Sequence, residues 1–325
     1  MIVCFLLTSF IFTVFGHNEI NSTSNDESNT TDHIVLQIPL IQIPAQETVY
    51  VCQQFEINDT RPYHVTKFEP ILNNTNLVHH MLVFGCDFKI DEKGPHQCNN
   101  MDYKCRTWLV KWDIGMPDIL TMPKHTGVRI GKESFKYLLL QVHMNNKGAK
   151  DNIVDSSGMK LHITDNLREH DIGNVQIGQN NIDINGGRSD VLITGKCNSR
   201  CTSLMLPRPI YITDIYLHMH KLGKSASLDI IRDREVRETF ATETNYNYTR
   251  PMWHTLDPPQ VVYPGQEIMM KCWYDSASTG RARNVTTNFG QGTEAEMCYA
   301  FIRYYPRVLG FDQCLQSGED NLSGC

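Results

Sequence analysis

Two adjacent histidines, His79 and His80, stand inside the apolar run LVHHMLVFGC at residues 77–86. Consecutive side chains of an extended strand point to opposite faces, so a regular strand would shield one imidazole and expose the other. The flanking residues are apolar on both faces, which predicts that both rings are at least partly shielded. Because a shielded imidazole needs a polar partner, the sequence raises the question of what these two rings bind.

Further candidate ligands lie in later strands. His143 ends the run KYLLLQVHM, and His218 and His220 form a His-x-His pair in YLHMH. Residues two apart share one face of a strand, so this pair can converge on one ion, although strand histidines without a metal are also common. Three histidines suit zinc as well as copper. Met297, in AEMCYAF, is by itself typical of a core residue.

The elements that must position these residues are short strands. From Ile34 onward, segments such as IVLQIPLIQIP, KYLLLQVHM and EIMMKCWYD alternate with turn signals, and convincing amphipathic helices are few. Many short strands at this spacing predict an all-β fold of two antiparallel sandwiches joined near residues 166–190. We therefore expect two domains, residues 34–168 and 169–325, each with its own histidine set.

The composition excludes one class of partner. The chain has 325 residues, of which 41% are hydrophobic and 20% are charged, with a formal net charge of -6. That length suits one large domain or two ordinary ones. Binding to nucleic acid would call for a basic patch, which this sequence does not indicate. The sequence does not indicate an oligomeric state.

The N-terminal segment predicts export. Residues 1–16 form an uninterrupted apolar stretch of signal-peptide length, although the usual basic region is missing. A membrane anchor is the alternative, but the stretch is short for a span of ~20 residues, and no later segment is apolar and long enough to cross a bilayer. Residues 17–33 are polar and of low complexity, which predicts a flexible segment. We expect a secreted or secretory-lumen protein with no transmembrane segment after the signal.

Cysteine and asparagine usage agrees with that compartment. Of 11 cysteines, Cys4 lies in the predicted signal, and the remaining ten suggest a fully oxidised set. Asn-x-Ser/Thr sequons mark candidate glycosylation sites on surface loops. They begin at Asn21, Asn29, Asn58, Asn73, Asn247, Asn284 and Asn321.

Several stretches resemble the copper type II, ascorbate-dependent monooxygenases, a family that includes dopamine β-hydroxylase, tyramine β-hydroxylase and peptidylglycine α-hydroxylating monooxygenase. The resemblance runs from about Ile38 to Cys314. It is carried by IPAQETVYVCQQF, LVHHMLVFGC, LLLQVHMNN, DSSGMKLHIT, CNSRCTSLMLP, LHMHKLGK, YPGQEIMMKCWYD and AEMCYAFIRYYPR. The cysteine pattern and the YYP ending are most similar to the dopamine β-hydroxylase branch and its monooxygenase-like relatives. No stretch resembles the N-terminal DOMON domain of that branch.

The resemblance implies two jelly-roll-like domains with an intervening copper cleft and two mononuclear copper sites. The electron-transfer site is matched by His79, His80 and His143. The oxygen-activating site is matched by His218, His220 and Met297. The strand that carries the adjacent histidines would bend or end there, so that both rings reach one ion. The implied cofactors are two copper ions per chain, with ascorbate as reductant and O2 as co-substrate, for hydroxylation of a C–H bond in a small substrate. No catalytic residue beyond the copper ligands is implied.

The same resemblance implies a set of disulfides. They are Cys52–Cys98, Cys86–Cys105, Cys197–Cys314 and Cys272–Cys298. Cys325 is the remaining candidate partner of Cys201, which relatives pair with a cysteine in a longer C-terminal extension.

Two departures from the family bear on the substrate. Peptide-amidating relatives carry an arginine and an asparagine near the reacting copper, where this sequence has Tyr216 and Tyr299. Amidation of a peptidylglycine is therefore not expected, and two aromatic rings suit an apolar or aromatic substrate, such as an aromatic amine. The alternative is that both tyrosines are packing residues. The rival functions are a secreted copper-binding protein without monooxygenase turnover and, more distantly, a zinc hydrolase.

Overall fold

The structure is a computed structural model that describes residues 32–57, 60–98, 104–250, 252–318 and 322–323. The predicted signal peptide and residues 17–31 lie outside these ranges, and the first strand begins at Asp32, so the last two residues of the segment predicted to be flexible are in a strand. Four sequons and, besides Cys4 of the predicted signal, one cysteine lie outside the described residues and stay predictions. They are Asn21, Asn29, Asn58, Asn321 and Cys325.

The first half of the described chain forms mainly antiparallel sheets around one core, with one parallel pair between β13 and β9. Its strands are β1 Asp32–Gln37, β2 Ile41–Gln42, β3 Thr48–Glu56, β4 Pro62–Ile71, β5 Val78–Cys86, β6 His96–Gln97, β7 Thr107–Asp113, β8 Leu120–Thr121, β9 Thr126–Gly131, β10 Tyr137–Asn145, β11 Val154–Asp155, β12 Gly158–Thr164 and β13 His170–Asp171. One sheet has the order β1-β12-β4-β9-β13 with β8 beside β4, and a second has the order β6-β3-β10-β5-β7, while β2 and β11 form a short ribbon. Strand β13 lies just past the domain boundary predicted at residue 168, yet it pairs with β9 of this half.

The second half repeats the architecture with different pairings. Its elements are β14 Gly173–Gln179, β15 Asp183–Ile184, β16 Val191–Cys197, α1 Ser199–Met205, β17 Ile210–His218, β18 Gly223–Arg232, β19 Glu235–Glu243, β20 Trp253–Val262, β21 Glu267–Tyr274, β22 Thr287–Asn288, β23 Cys298–Tyr305, β24 Gln313–Gln316 and β25 Leu322–Ser323. The sheets have the orders β20-β17-β23-β14-β24-β25 and β16-β21-β18-β19, and β15 pairs with β22. The all-β fold predicted from the sequence is confirmed. In the part of the chain that the structure describes, no helix is long and apolar enough to cross a membrane.

Burial patterns explain where the site can form. Strand β21 alternates between half-buried and buried residues, as expected for a strand with one face on a core. Strand β10 instead is buried along almost its whole length, because it lies between β3 and β5 and is covered on both faces. Gln141 and His143 share one face of β10, and alternate residues such as Leu140 and Val142 face the core of the first half. The C-terminal part of that face, at Gln141 and His143, is therefore polar although it is buried.

Aromatic side chains join the two halves. Trp108 of β7 meets Phe301 of β23 edge-on, with 5.2 Å between ring centroids, and stacks against Trp253 of β20 at 6.2 Å. The side-chain amide of Asn174 donates a hydrogen bond to the carbonyl oxygen of Leu109 at 3.3 Å. The second half thus packs against strand β7 of the first half.

The structure contains four disulfides whose cysteines are described, and they are the four pairs that the resemblance implied. These are Cys52–Cys98, Cys86–Cys105, Cys197–Cys314 and Cys272–Cys298. The sulfur of Cys201 lies 3.3 Å from that of Cys197 and 3.6 Å from that of Cys314. Because Cys197 and Cys314 are bonded to each other, these three sulfurs do not form a thiolate metal site.

Candidate metal centres

His79 and His80 reach one point because strand β5 is irregular there. Strand β5 runs antiparallel to β10, and the register pairs His143 with His80 and then Met144 with Val78, which leaves His79 as an extra residue. A β-bulge of this kind places two residues of one strand opposite one residue of its neighbour. The bulge therefore explains how consecutive histidines can serve the same site.

The Nδ1 atoms of three imidazoles converge at this bulge. The Nδ1 of His80 lies 3.3 Å from the Nδ1 of His79 and 3.2 Å from the Nδ1 of His143. Tyr50 stacks on the His143 ring with 4.3 Å between centroids and fixes its plane. Two imidazole nitrogens can share one proton, but a third has no place in that bond. The arrangement therefore fits three neutral nitrogen donors around one metal ion.

Burial keeps these imidazoles neutral. Loss of solvation lowers the pKa of His143 to about 3, and nearby positive charges act in the same direction. Burial also lowers the pKa of His79 and, more strongly, the pKa of His80. Since neutral imidazole is the form that binds a metal ion, the site is prepared for a metal without a preceding loss of protons.

We expect the metal-free protein to lose stability as the pH falls from about 6.5 toward 3. His143 takes up a proton near pH 6.5 in the unfolded chain, whereas its pKa in the folded protein is about 3. The unfolded state therefore binds more protons than the folded state throughout that window. The free energy of unfolding thus decreases as the pH is lowered. Urea unfolding of the metal-free protein between about pH 7.5 and about pH 4.5 measures the effect. His143→Phe should flatten the pH dependence, and an unchanged slope in that variant would contradict the assignment.

A second pair of imidazoles lies at the end of β17. The ring centroids of His218 and His220 are 5.1 Å apart. The Nδ1 of His220 lies 2.9 Å from the carbonyl oxygen of Ala295, to which it can donate, and the Nδ1 of His218 lies 3.4 Å from the hydroxyl of Tyr216. With both Nδ1 atoms engaged, Nε2 is the nitrogen left to bind a metal ion. Met219, between the two histidines, is fully buried on the opposite face.

Met297 completes this second set. It directly precedes β23, is half-buried, and lines the same cavity as His218 and His220. Its carbonyl oxygen accepts a hydrogen bond from the Tyr274 hydroxyl at 2.7 Å, which fixes the backbone at this position. A thioether beside two imidazoles is a soft, weak donor set that favours Cu(I).

Glu296 ties the two ligand segments of the second set together. Its side chain is fully buried, and its carboxyl oxygens accept hydrogen bonds from the backbone N–H of His220 at 2.8 Å and of Leu222 at 2.6 Å. Burial raises the pKa of Glu296 to about 7, against the backbone N–H groups that favour its ionised form. The carboxyl group thus connects the residue before Met297 to the turn that follows His218.

Glu296→Ala should weaken copper binding at the second set by roughly 10–100-fold, the range for loss of a group that orients a metal ligand. The reason is that the N–H groups of His220 and Leu222 lose their acceptors and the turn relaxes. Glu296→Gln keeps one acceptor oxygen and should retain most of the affinity. Competition with a Cu(I) chelator measures both variants. Equal losses at the two histidine sets would show that the substitution acts on the fold and not on this site.

One cavity brings the two sets together. It has a volume of about 460 Å³ and is lined by His80 of the first set and by all three members of the second. This cavity lies between the two donor sets, where the resemblance implied a copper cleft. Tyr299 lines it, whereas Tyr216 does not and is 2% exposed, with its hydroxyl behind His218. The structure therefore favours the packing alternative for Tyr216 and leaves Tyr299 as a wall of the cavity.

Comparison with known proteins agrees with this geometry. A family model described as copper type II ascorbate-dependent monooxygenase, N-terminal domain, matches residues 34–151, and the model of the corresponding C-terminal domain matches residues 171–323. The chain belongs to the copper type II ascorbate-dependent monooxygenase family.

Individual relatives are about 30% identical. DBH-like monooxygenase protein 1 of Mus musculus is 30% identical over 90% of this chain and 51% of its own length. Dopamine beta-hydroxylase of Homo sapiens is 32% identical over 84% of this chain and 46% of its own length. MOXD1 homolog 1 of Drosophila melanogaster is 30% identical over 81% of this chain and 41% of its own length. The chain thus spans about half the length of the curated relatives it matches. Among solved structures, the major capsid protein P2 from Bacteriophage PM2 matches with a TM-score of 0.32 at 10% identity over 84% of this chain and 97% of that chain, which is too low to bear on fold or function.

The donor sets of this monooxygenase family member fit copper. Neutral imidazoles bind copper in both of its oxidation states, and a thioether adds preference for the reduced ion. The first set offers three converging Nδ1 atoms. The second offers two imidazoles with Nε2 available and one thioether. Each residue type matches the chemistry of a copper-dependent family.

Tyr248 links the two sets and was not singled out by the sequence. Its hydroxyl lies 3.2 Å from the Nε2 of His79. Its ring stacks on His79 and meets His220 edge-on, each with 5.6 Å between centroids. The segment NYNYT has no metal-ligand spacing, so only the fold reveals that Tyr248 contacts both sites.

A buried ion pair forms a second link between the sets. Lys111 and Asp113 of β7 are 3% and 4% exposed and are bonded to each other. A carboxylate oxygen of Asp113 lies 3.7 Å from the Nδ1 of His80, and the Lys111 ammonium lies 3.4 Å from the Tyr216 hydroxyl. The sequence carried a signal for this pair, because TWLVKWD puts two opposite charges on one face of an otherwise apolar strand.

Proposed function

We propose that this chain is a secreted copper monooxygenase that hydroxylates a C–H bond of a small organic substrate with O2 and ascorbate. The observation that supports the proposal is the shared cavity, which is lined by His80 on one side and by His218, His220 and Met297 on the other. A substrate bound there would lie against both donor sets. Because the chain spans about half the length of its relatives, their activities enter here as part of the proposal.

In this proposal each donor set has one role. His79, His80 and His143 would hold the copper that transfers electrons. His218, His220 and Met297 would hold the copper at which oxygen is activated. When bound, the two ions supply one-electron redox chemistry and activation of O2.

The other residues of the site position these ligands. The Ala295 carbonyl and the Tyr216 hydroxyl engage the Nδ1 atoms of the second pair, which directs Nε2 toward the ion. Tyr50 holds the plane of His143 by stacking. Apolar walls such as Trp108 would exclude water from the reacting C–H bond.

The lining of the cavity supports an aromatic substrate. Its aromatic side chains are Tyr50, Phe84, Trp108, Phe289, Tyr299 and Phe301, and such walls suit apolar and aromatic ligands. Its charged lining residues, within the described chain, are Arg106 and Lys111, both cationic. An aromatic amine, which the sequence suggested, would enter without a carboxylate among those lining residues, and a buried charge without a partner is costly. A neutral or acidic aromatic compound therefore fits this lining better than an amine.

Secretion is supported by the same fold. Four disulfides are typical of proteins that fold in an oxidising compartment. The described sequon asparagines Asn73, Asn247 and Asn284 are exposed, as glycosylation requires. Glycosidase treatment and N-terminal sequencing of the protein from culture medium test the glycans and the cleavage after residue 16.

Turnover with a matched panel tests the proposed function. Copper-loaded protein is incubated with 18O-labelled O2, ascorbate and one of three compounds, namely 2-phenylethylamine, 2-phenylethanol or 3-phenylpropanoate, and in parallel with small-molecule extracts. We expect a product heavier by one labelled oxygen that requires copper. Two bound coppers without such a product would favour the copper-binding protein, and zinc in protein purified without chelators would favour the hydrolase.

A further inference from the structure

A second cavity, of about 650 Å³, reaches the first donor set from another direction. His79 and Tyr248 line it, and most of its other lining residues are polar. Within the described chain, no member of the second donor set lines this cavity. A substrate bound in this cavity could therefore not present a C–H bond to the second copper. The cavity would suit a different ligand.

The charges of this cavity favour an anion. Lys147, Lys221 and Arg281 line it, and the one carboxylate among its described lining residues belongs to Asp113, which is ion-paired with Lys111. Lys221 is paired with Glu294 at the surface. Lys147 is exposed and, among the described residues, has no ion-pair partner.

The His79 ring connects this cavity to the first metal centre. Its Nδ1 belongs to the converging nitrogens, 3.3 Å from the Nδ1 of His80, while its Nε2 meets the Tyr248 hydroxyl at 3.2 Å. The ring therefore has one side on the metal centre and another side on the cavity. Electrons delivered in the cavity would have only one imidazole to cross.

Hydroxylated ligands also suit the lining. Asn145, Asn245, Thr249 and Thr279 place amide and hydroxyl groups around the cavity, and such groups can both donate and accept hydrogen bonds. Ascorbate is a polyhydroxylated enediol and a monoanion near neutral pH. Its charge and its hydroxyl groups both match this cavity, whereas the cavity beside Met297 is walled largely by aromatic side chains.

We propose that this second cavity binds ascorbate, as its monoanion, and that electrons enter the first copper centre through His79. The inference rests on the proposed function, which supplies the copper and the need for a reductant. Each ascorbate monoanion loses one electron and one proton and leaves as the ascorbyl radical. The electron reduces one Cu(II) to Cu(I), and the proton passes to water in the cavity. One hydroxylation takes up two electrons and therefore consumes two ascorbate molecules.

The test follows copper reduction in the absence of O2 and substrate. The full chain loaded with Cu(II) is mixed anaerobically with ascorbate, and loss of the Cu(II) electron paramagnetic resonance signal is timed at increasing reductant concentration. We expect the rate to saturate for the natural protein. Lys147→Glu combined with Arg281→Gln should lower the second-order rate constant for ascorbate on the order of 10-fold, because these side chains supply the attractive field of the cavity.

Two controls separate binding in this cavity from other effects. Hydroquinone, a neutral reductant, should reduce natural and variant proteins at similar rates. Lys132→Glu reverses an exposed charge on a turn that does not line the cavity, and it should leave the ascorbate rate unchanged. Equal slowing by Lys132→Glu, or equal slowing of hydroquinone in the cavity variant, would overturn the inference.

The same data distinguish this inference from the proposed function. Saturable, charge-dependent reduction without any hydroxylated product would support the ascorbate cavity and contradict the monooxygenase. Hydroxylated product together with an unchanged rate of reduction by ascorbate in the cavity variant would support the monooxygenase and contradict the ascorbate cavity. Absence of bound copper would overturn both.

Discussion

Met297→Ala is expected to abolish hydroxylation while the protein stays folded and the three-histidine set stays loaded with copper. Loss of a group that only orients a metal ligand costs roughly 10–100-fold in affinity or activity, so loss of the ligand itself should lower kcat/KM by more than about 100-fold. Met297 is half-buried at the edge of the cavity, so truncation removes little core packing. Labelled product formation and Cu(I) affinity measure the effect.

A matched methionine controls for loss of a thioether in general. Met205 of α1 is also half-buried but lies outside both cavities, and Met205→Ala should leave hydroxylation near its natural rate. Product formed by Met297→Ala at more than about half of the natural rate would rule out a role for Met297 as a ligand.

Of the substitutions proposed for this protein, Asp113→Ala is expected to lower the free energy of unfolding most. Removing one partner of a buried ion pair leaves the other charge without compensation and costs about 3–5 kcal/mol. Here the charge left behind is the Lys111 ammonium, which is 3% exposed. The free energy of urea unfolding measures the loss in the metal-free protein at neutral pH.

A double variant separates the charge from the shape. Lys111→Met with Asp113→Ala removes both charges and should recover most of the stability lost in the single variant, because a buried ion pair replaced by apolar groups is often neutral. The exposed pair Lys89–Glu56 is the surface comparison, and Glu56→Ala should cost about 0–1 kcal/mol. A cost below about 1 kcal/mol for Asp113→Ala would mean that Lys111 does not remain charged in the folded protein.

The sequence was sufficient for the fold class, and it also indicated candidate ligands, which stay predictions. Alternating strands and turn signals depend on local side-chain patterns, so the all-β fold could be predicted. The candidate ligands lie in short motifs whose residue types determine the metal chemistry. The bulge at His79 could not be derived from local pattern alone, because it depends on how β5 pairs with β10, which lies more than fifty residues later in the chain.

Contacts between distant segments account for what sequence reasoning missed. Tyr216 and Tyr299 looked equivalent in the sequence, yet only Tyr299 lines the cavity. Tyr248 contacts His79 and His220 from a loop without any motif. Their roles depend on how the sheets of the two halves pack, which no local pattern specifies.

The two-site assignment is that one chain binds two copper ions through different donor sets. X-ray absorption at the copper edge of the fully loaded, ascorbate-reduced protein tests this assignment most directly. We predict two copper ions per chain, of which one has a sulfur neighbour. That sulfur signal should vanish in Met297→Ala and persist in His143→Ala, which should retain only the copper of the second set. A single copper ion per chain, or a natural protein whose spectrum shows nitrogen neighbours alone, would contradict the two-site assignment.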